Sequence, residues 1–287
     1  MIRISTPSKI NLSLNVLSAR TDGYHEIDTI FYPLNIPSDN ISLDFSPDRT
    51  TGILIRCADP DVPLDPEKNL CGRAVSAYCR AAGIPVPAVD IFLDKKIPHA
   101  GGMGGGSSDA AAILRLMNQH FSPLPDEILA KIALSLGADV PFFLNPVPAR
   151  ARGTGEKISP LTGMPGSLPL VLAAPDFPVS SKWAYEHWTF GSSLPDNNED
   201  LLADALKKRD LLLASRFMKN SLSAPIFRKF PLLQWLRDFF RNNGALCAEI
   251  TGSGPTMFAL FPDAPAADAA ARIAVQTFPS VRIFRSV

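Results

Sequence analysis

The sequence predicts an α+β protein of two domains, and three observations carry that expectation. Strand-like alternation in the first hundred residues leads into a glycine-rich loop, and helix follows at once. Prolines at 160, 165 and 169 crowd the segment 159–169, which reads as a boundary. Beyond it, a striped helix and a β-β-α-β run suggest a small ferredoxin-like sheet sandwich. The expected domains are therefore 1–160, a mixed α/β domain containing the glycine loop, and 161–287, a ferredoxin-like domain. A chain of 287 residues with 46% apolar content is large enough for two such cores.

The elements follow in order. Ile10, Leu12, Leu14 and Val16 share one face of a first strand, and Lys9, Asn11, Ser13 and Asn15 share the other. Pattern alone leaves open whether that polar face is merely solvated. Asp22-Gly23 marks a turn, after which Tyr24-His25 opens a second strand through Ile27, Thr29 and Phe31. By pattern alone His25 is an ordinary strand histidine. Ile41-Leu43-Phe45 and Ile53–Ile55 read as further short strands. Asn69 caps a helix that stops at Gly83, where glycine suits a left-handed position. Val89–Leu93 alternates as a strand, and Ala110–Met117 reads as helix. Another helix begins at Pro125 and carries Ile128, Leu129, Ile132 and Leu136 on one stripe. It stops at Gly137, and Asp139 follows just before Val140-Pro141. Gly153–Glu156 forms a tight return. In the second half come an apolar strand at Leu170–Ala174 and a helical tract over 199–219. A helix from Pro231 to Gly244 follows, striped by Leu232, Leu233, Leu236, Phe239 and Phe240. Strands at Cys247–Ile250, Thr256–Phe261 and Val281–Phe284 surround a helix over 266–277.

The stretch 98–112 is the richest in chemistry: Pro98-His99-Ala100-Gly101-Gly102-Met103-Gly104-Gly105-Gly106-Ser107-Ser108-Asp109-Ala110-Ala111-Ala112. Glycines let the backbone adopt positive φ and let a ligand approach its N–H groups. Ser107, Ser108 and Asp109 are suitable caps for the new helix, whose first N–H groups have no internal partners. Such an end is an anion site, and a polyphosphate is its usual occupant. A Walker loop would need Gly-Lys-Ser/Thr, and no lysine separates Gly106 from Ser107. The dinucleotide fingerprint fails because Ser107 stands at its last glycine.

Composition narrows the partners. With 28 basic and 28 acidic residues, formal net charge is zero, which favours neither nucleic acid nor an anionic membrane. No apolar run approaches a signal peptide or a membrane span, so a cytoplasmic protein is expected. Cys57, Cys71, Cys79 and Cys247 lack zinc-type or redox spacing and read as free thiols.

Pro98-x-x-x-Gly102-Met103-Gly104-Gly105-Gly106-Ser107-Ser108 resembles the phosphate loop of the GHMP kinases, with Met103 in place of the usual leucine. Ser8-Lys9-Ile10-Asn11-Leu12, Asp22-Gly23-Tyr24-His25, Gly137-Ala138-Asp139-Val140-Pro141 and Thr251-Gly252-Ser253-Gly254 extend the resemblance over nearly the whole chain. Tyr-His after Asp-Gly, with Gly-Ala-Asp-Val-Pro, is particular to the branch that phosphorylates CDP-methylerythritol, in the non-mevalonate route to isoprenoid precursors. The resemblance implies an ATP-dependent small-molecule kinase, monomer or homodimer. Residues Pro98 to Ser108 wrap the ATP phosphates, and Asn69, in Glu67-Lys-Asn-Leu70, lies beside the adenine. Asp139 is the implied general base and Lys9 the cation that holds it ionised. Tyr24, His25, Tyr185 and Asn11 are implied on the substrate. ATP chemistry implies Mg²⁺, but no acidic cluster identifies protein ligands for it. Another kinase of the family, such as a homoserine kinase, is disfavoured by Tyr24-His25. A catalytically dead nucleotide-binding regulator is disfavoured by the presence of Lys9 and Asp139. Residues 186–225 match no motif.

Overall fold

The structure is a computed structural model that describes residues 1–45, 51–121, 123–189, 194–195 and 198–286. Part of the motif-free stretch, residues 190–193 and 196–197, lies outside the described residues. The chain opens with β1 (Ile2–Ala19), β2 (His25–Asp44), β3 (Gly52–Cys57), α1 (Leu70–Ala82) and β4 (Ala88–Asp94). It continues through α2 (Gly105–His120), α3 (Asp126–Leu136), α4 (Val140–Leu144), β5 (Ala149–Gly153) and β6 (Lys157–Pro160). Then come β7 (Leu170–Pro175), α5 (Ser181–Glu186), α6 (Asn198–Lys207), α7 (Leu211–Ser215), α8 (Ser223–Lys229) and α9 (Pro231–Asn242). The chain ends with β8 (Cys247–Ile250), β9 (Met257–Leu260), α10 (Ala264–Thr277) and β10 (Val281–Ser286).

Two compact units interleave along this order. The first comprises Met1–Ser8, Pro37–His99 and Gly104–Pro146, and the second Lys9–Ile36, Ala100–Met103 and Val147–Val287. Residues 149–153 pair with Ile27–Phe31 of β2, so the β5–β6 return groups with the second unit.

In the first unit, β3 runs parallel to β4, and β4 runs antiparallel to residues 40–44 of β2. Val89, Ile91 and Leu93 of β4 are buried, as are Val75 and Tyr78 of α1 and Ile113, Leu114 and Met117 of α2. Each such large side chain contributes about 1.5–3 kcal/mol on burial. Asn69 caps α1 by accepting from the Cys71 N–H at 2.8 Å, and Gly83 ends it at φ 65°, as the sequence predicts.

In the second unit, a four-stranded antiparallel sheet runs β10-β7-β9-β8. That order, with α10 between β9 and β10, is the ferredoxin-like arrangement expected from the β-β-α-β run. Leu233, Leu236 and Phe240 of α9 and Ala267, Ala270 and Ala274 of α10 join Val171, Ala173, Ala259 and Phe261 in one core.

Two elements depart from the sequence expectation. β2 is one strand of 20 residues, although Pro33 and Pro37 suggest two. It changes partner, from β5 over residues 27–31 to β4 over 40–44, and both prolines fall between those two registers. The helical tract expected over 199–219 breaks in the middle. Arg209 takes φ 57°, and Asp210 caps α7 through the Leu213 N–H at 2.9 Å, a local bond that competes with helix continuation.

Candidate active site

The glycine loop is the chain between β4 and α2. Gly102 and Gly104 have φ of 75° and 72°, a region that L side chains avoid. At Gly102 a second constraint applies, because a Cβ would lie 2.4 Å from the Thr251 carbonyl oxygen. Ala100 also sits at positive φ, 49°. Pro98, Gly101 and Met103 are buried, whereas His99 and Gly106 are exposed. The helix cap differs from expectation. Gly104 is the N-cap and makes no side-chain cap bond, while Ser107 and Ser108 lie inside the first turn of α2 and Asp109 just beyond it. The left-handed glycine lets the helix begin two residues before the first hydroxyl, so the backbone N–H groups are the feature the loop presents. The Ser108 hydroxyl is buried without a protein partner. Asp109 turns inward and accepts from Thr6 Oγ1 at 2.9 Å and Lys95 Nζ at 2.5 Å. Burial pushes its carboxyl up to about 6, with Asp39 adding to the rise and Lys95 opposing it.

The polar face of β1 is buried and forms a hydrogen-bonded strip. Lys9 is only 4% exposed; its Nζ donates to Asn11 Oδ1 at 2.7 Å and stands 4.7 Å from the Phe31 ring centre. Asn11 Nδ2 donates to Thr29 Oγ1 at 2.8 Å, and the Asn11 N–H donates to Thr251 Oγ1 at 2.9 Å. The backbone N–H of Lys9 donates to the Met103 carbonyl at 3.0 Å. β1, the glycine loop and the Thr251–Gly254 turn therefore meet at Lys9 and Gly102. Thr29, which sequence alternation places on an apolar face, is an anchor of this strip.

Asp139 belongs to the first unit. α3 ends at Gly137, and Asp139 stands half-buried at the N-cap of α4 without making a capping bond. Its short turn is fixed by the Val140 N–H donating to the Gly137 carbonyl at 3.1 Å. Asn69 spends both polar ends on the protein, since Nδ2 also donates to the Pro63 carbonyl at 2.7 Å.

A ring cluster forms around His25 in the second unit. Its imidazole centre lies 5.1 Å from that of Tyr185, tilted by 39°, and 5.6 Å from Trp188, edge to face. Burial lowers the His25 pKa, so the ring is neutral near pH 7. Tyr24 is 65% exposed. Its N–H donates to Asp22 Oδ1 at 3.1 Å in the turn before β2. Sequence reasoning missed Trp188; its spacing of three from Tyr185, at the end of α5, was the available signal.

Among the described residues no group of three or more His, Cys, Asp or Glu could hold a metal ion, and no helix is long and apolar enough to cross a membrane. The cysteines are free.

Residues 69–145 match the GHMP kinases N terminal domain, and residues 202–280 match the GHMP kinases C terminal domain. A 4-diphosphocytidyl-2-C-methyl-D-erythritol kinase of Nitratidesulfovibrio vulgaris is 36% identical over 277 residues, covering 94% of this chain and 93% of that protein. A crystal structure of a 4-(cytidine 5'-diphospho)-2C-methyl-D-erythritol kinase matches with a TM-score of 0.82 at 33% identity, over 99% of this chain and 98% of that one. A homoserine kinase from Cytophaga hutchinsonii, at 22% identity and a TM-score of 0.78 over 100% of this chain and 94% of that one, shares the fold. The motifs, the two-unit architecture and these matches agree: the chain belongs to the GHMP kinases, a family of ATP-using small-molecule kinases, in the branch of the 4-diphosphocytidyl-2-C-methyl-D-erythritol kinases.

Proposed function

We propose that the protein transfers the γ-phosphoryl group of ATP to the 2-hydroxyl of CDP-methylerythritol, a step of the non-mevalonate route. The observation that carries this reading is identity of 36% across nearly the whole chain with a kinase named for that substrate. The ring cluster at His25 supports it. A neutral imidazole has one donor and one acceptor nitrogen, and the polar edge of cytosine offers both complements. Tyr185 supplies a face on which a base can stack, and exposed Tyr24 supplies another beside the same turn.

In this reading the glycine loop from Pro98 to Ser108 wraps the phosphates, and N–H groups between His99 and Ser107 hold them. Asn69 shapes the adenine side from the start of α1. Asp139 accepts the hydroxyl proton as the oxygen attacks the γ-phosphorus, and ADP leaves with the bridging oxygen. Lys9 keeps that carboxylate ionised and steadies the reacting oxygen. Asn11, whose Oδ1 accepts from the Lys9 ammonium, acts through that lysine as a positioning residue. Magnesium would be carried by the phosphates, and the buried, unpartnered Ser108 hydroxyl is the loop side chain that could ligate it. When bound it would offset phosphate charge. A cytoplasmic enzyme, monomeric or homodimeric, with sequence domains 1–160 and 161–287, completes the proposal.

The test is ATP consumption with CDP-methylerythritol against homoserine, galactose and mevalonate. Turnover with the CDP conjugate alone is expected. Turnover with homoserine and none with the CDP conjugate would overturn the reading.

A further inference from the structure

The first unit contains a buried charge cluster that the reaction does not use. Lys95 donates to Asp39 Oδ2 and to Asp109 Oδ2, and its side chain is 7% exposed. Asp39 is fully buried. Its other oxygen, Oδ1, accepts the N–H groups of Lys96 at 2.5 Å and Ile97 at 2.8 Å. Asp109 additionally accepts from Thr6 Oγ1. Three elements thus converge. Asp39 comes from β2, Lys95 to Ile97 from the chain leaving β4, and Asp109 from the start of the second turn of α2.

The cluster joins the two flanks of the glycine loop. Lys95, Lys96 and Ile97 immediately precede Pro98, and Asp109 follows Ser108. Gly105, the first residue of α2, lies against the same group. A Cβ there would stand 3.0 Å from Ile97 Cγ2 and 3.4 Å from Asp39 Oδ2. The entry and exit of the loop are therefore tied to one carboxylate and one ammonium in a medium where charge pairs are strong.

We infer that Lys95, Asp39 and Asp109 are positioning residues that set the spacing of the glycine loop's two ends, and thereby its affinity for the polyphosphate of ATP. The inference rests on the nucleotide reading of the loop. Loop N–H groups bind phosphate well only when their directions are fixed in advance, because ordering them on binding costs affinity. Charge acts in the same direction. Lys95 offsets two buried carboxylates at the two ends of the loop, and its removal leaves their charge uncompensated there. A cluster that served folding alone would affect both substrates through the folded fraction and neither one selectively.

The experiment measures the affinity of a non-hydrolysable ATP analogue and of CDP by calorimetry, with thermal unfolding of the same samples. The variants are Lys95→Met, Asp39→Asn and Lys95→Arg. In Lys95→Met, analogue affinity is expected to fall by about tenfold or more, one decade per 1.4 kcal/mol, while CDP stays within about twofold. Asp39→Asn should move the same way by less, and Lys95→Arg should bind nearly as wild type does. If Lys95→Met does not fold, Asp39→Asn decides. Analogue affinity within about twofold of wild type in a folded Lys95→Met or Asp39→Asn protein would overturn the inference, whatever the change in stability. Failure of the wild type to bind the analogue would overturn the nucleotide reading first, and the inference with it.

Discussion

Each unit covers a lysine tied to the glycine loop, and the two have different neighbours. Lys95, just before Pro98, is bonded to two carboxylates. Lys9, bonded through its backbone to Met103, has its ammonium on a neutral amide oxygen and over an aromatic face. Burial alone would lower the Lys95 pKa, but Asp109 and Asp39 outweigh it and hold the ammonium well above the ordinary lysine value. A lysine saturated by carboxylates serves position. The difference teaches that burial alone does not tell the two ammoniums apart; the groups placed around each one do.

The largest effect expected on this comparison is kinetic. Asp139→Asn keeps size but cannot accept the hydroxyl proton, so single-turnover phosphoryl transfer at saturating substrates should fall by about 10²–10⁴. Lys9→Met should also be slow, with combined losses short of additive because the two residues work as a unit. A rate within a few-fold of wild type in Asp139→Asn would remove the base from the scheme. The next effect is on stability and belongs to the other lysine. Lys95→Met strands two buried carboxylates, and breaking such a cluster typically costs about 3–5 kcal/mol. Denaturant unfolding measures that loss, and a Lys95→Met protein as stable as wild type would overturn it.

A smaller effect is expected at the ring cluster. His25→Ala should raise KM for the CDP substrate by about tenfold and leave that for ATP nearly unchanged, since a site built for a polar edge is penalised when a partner is missing. In wild type the same constant should rise in acid, once the pH falls through the depressed His25 pKa and the ring gains charge. A flat KM across that range would exclude the neutral imidazole as the base reader.

The smallest effect tests burial of charge at Glu249 in the second unit. Burial raises the Glu249 pKa to about 7, against hydrogen bonds from Ser223 and the Ile250 N–H. A folded pKa raised above the unfolded value contributes stability that is present below the unfolded pKa and lost as pH rises through about 7. Glu249→Gln should therefore be more stable than wild type at pH 8, on the order of 1 kcal/mol, with the advantage gone near pH 4. Unfolding curves at the two pH values check the sign.

Much of this was legible locally. Asn69 and Gly83 bound a helix because a cap and a left-handed stop are properties of a few adjacent residues. The β-β-α-β run gave the second sheet because its strand alternation and helix period are short-range patterns. Ser107 to Asp109 misled as caps, since the left-handed φ of Gly104 moved the helix start upstream. The single length of β2 was hidden because its two ends pair with different strands, β5 over residues 27–31 and β4 over 40–44.

By itself, then, the sequence determined the glycine loop between strand and helix, the flanking helices, the ferredoxin-like ending and the motifs that mark the family. These depend on residues close together in the chain. Tertiary structure alone decided which polar groups are buried and what they face. The polar face of β1 became a bonded strip because Thr29 and Thr251, distant in sequence, close over Asn11. Asp109 turned from an expected cap into a partner of Lys95 because Asp39 and Thr6 come from strands laid beside it. Charge pairing acts through space and leaves no periodicity along the chain, so Asp39, Lys95 and Asp109 could be seen as one group only in the folded molecule.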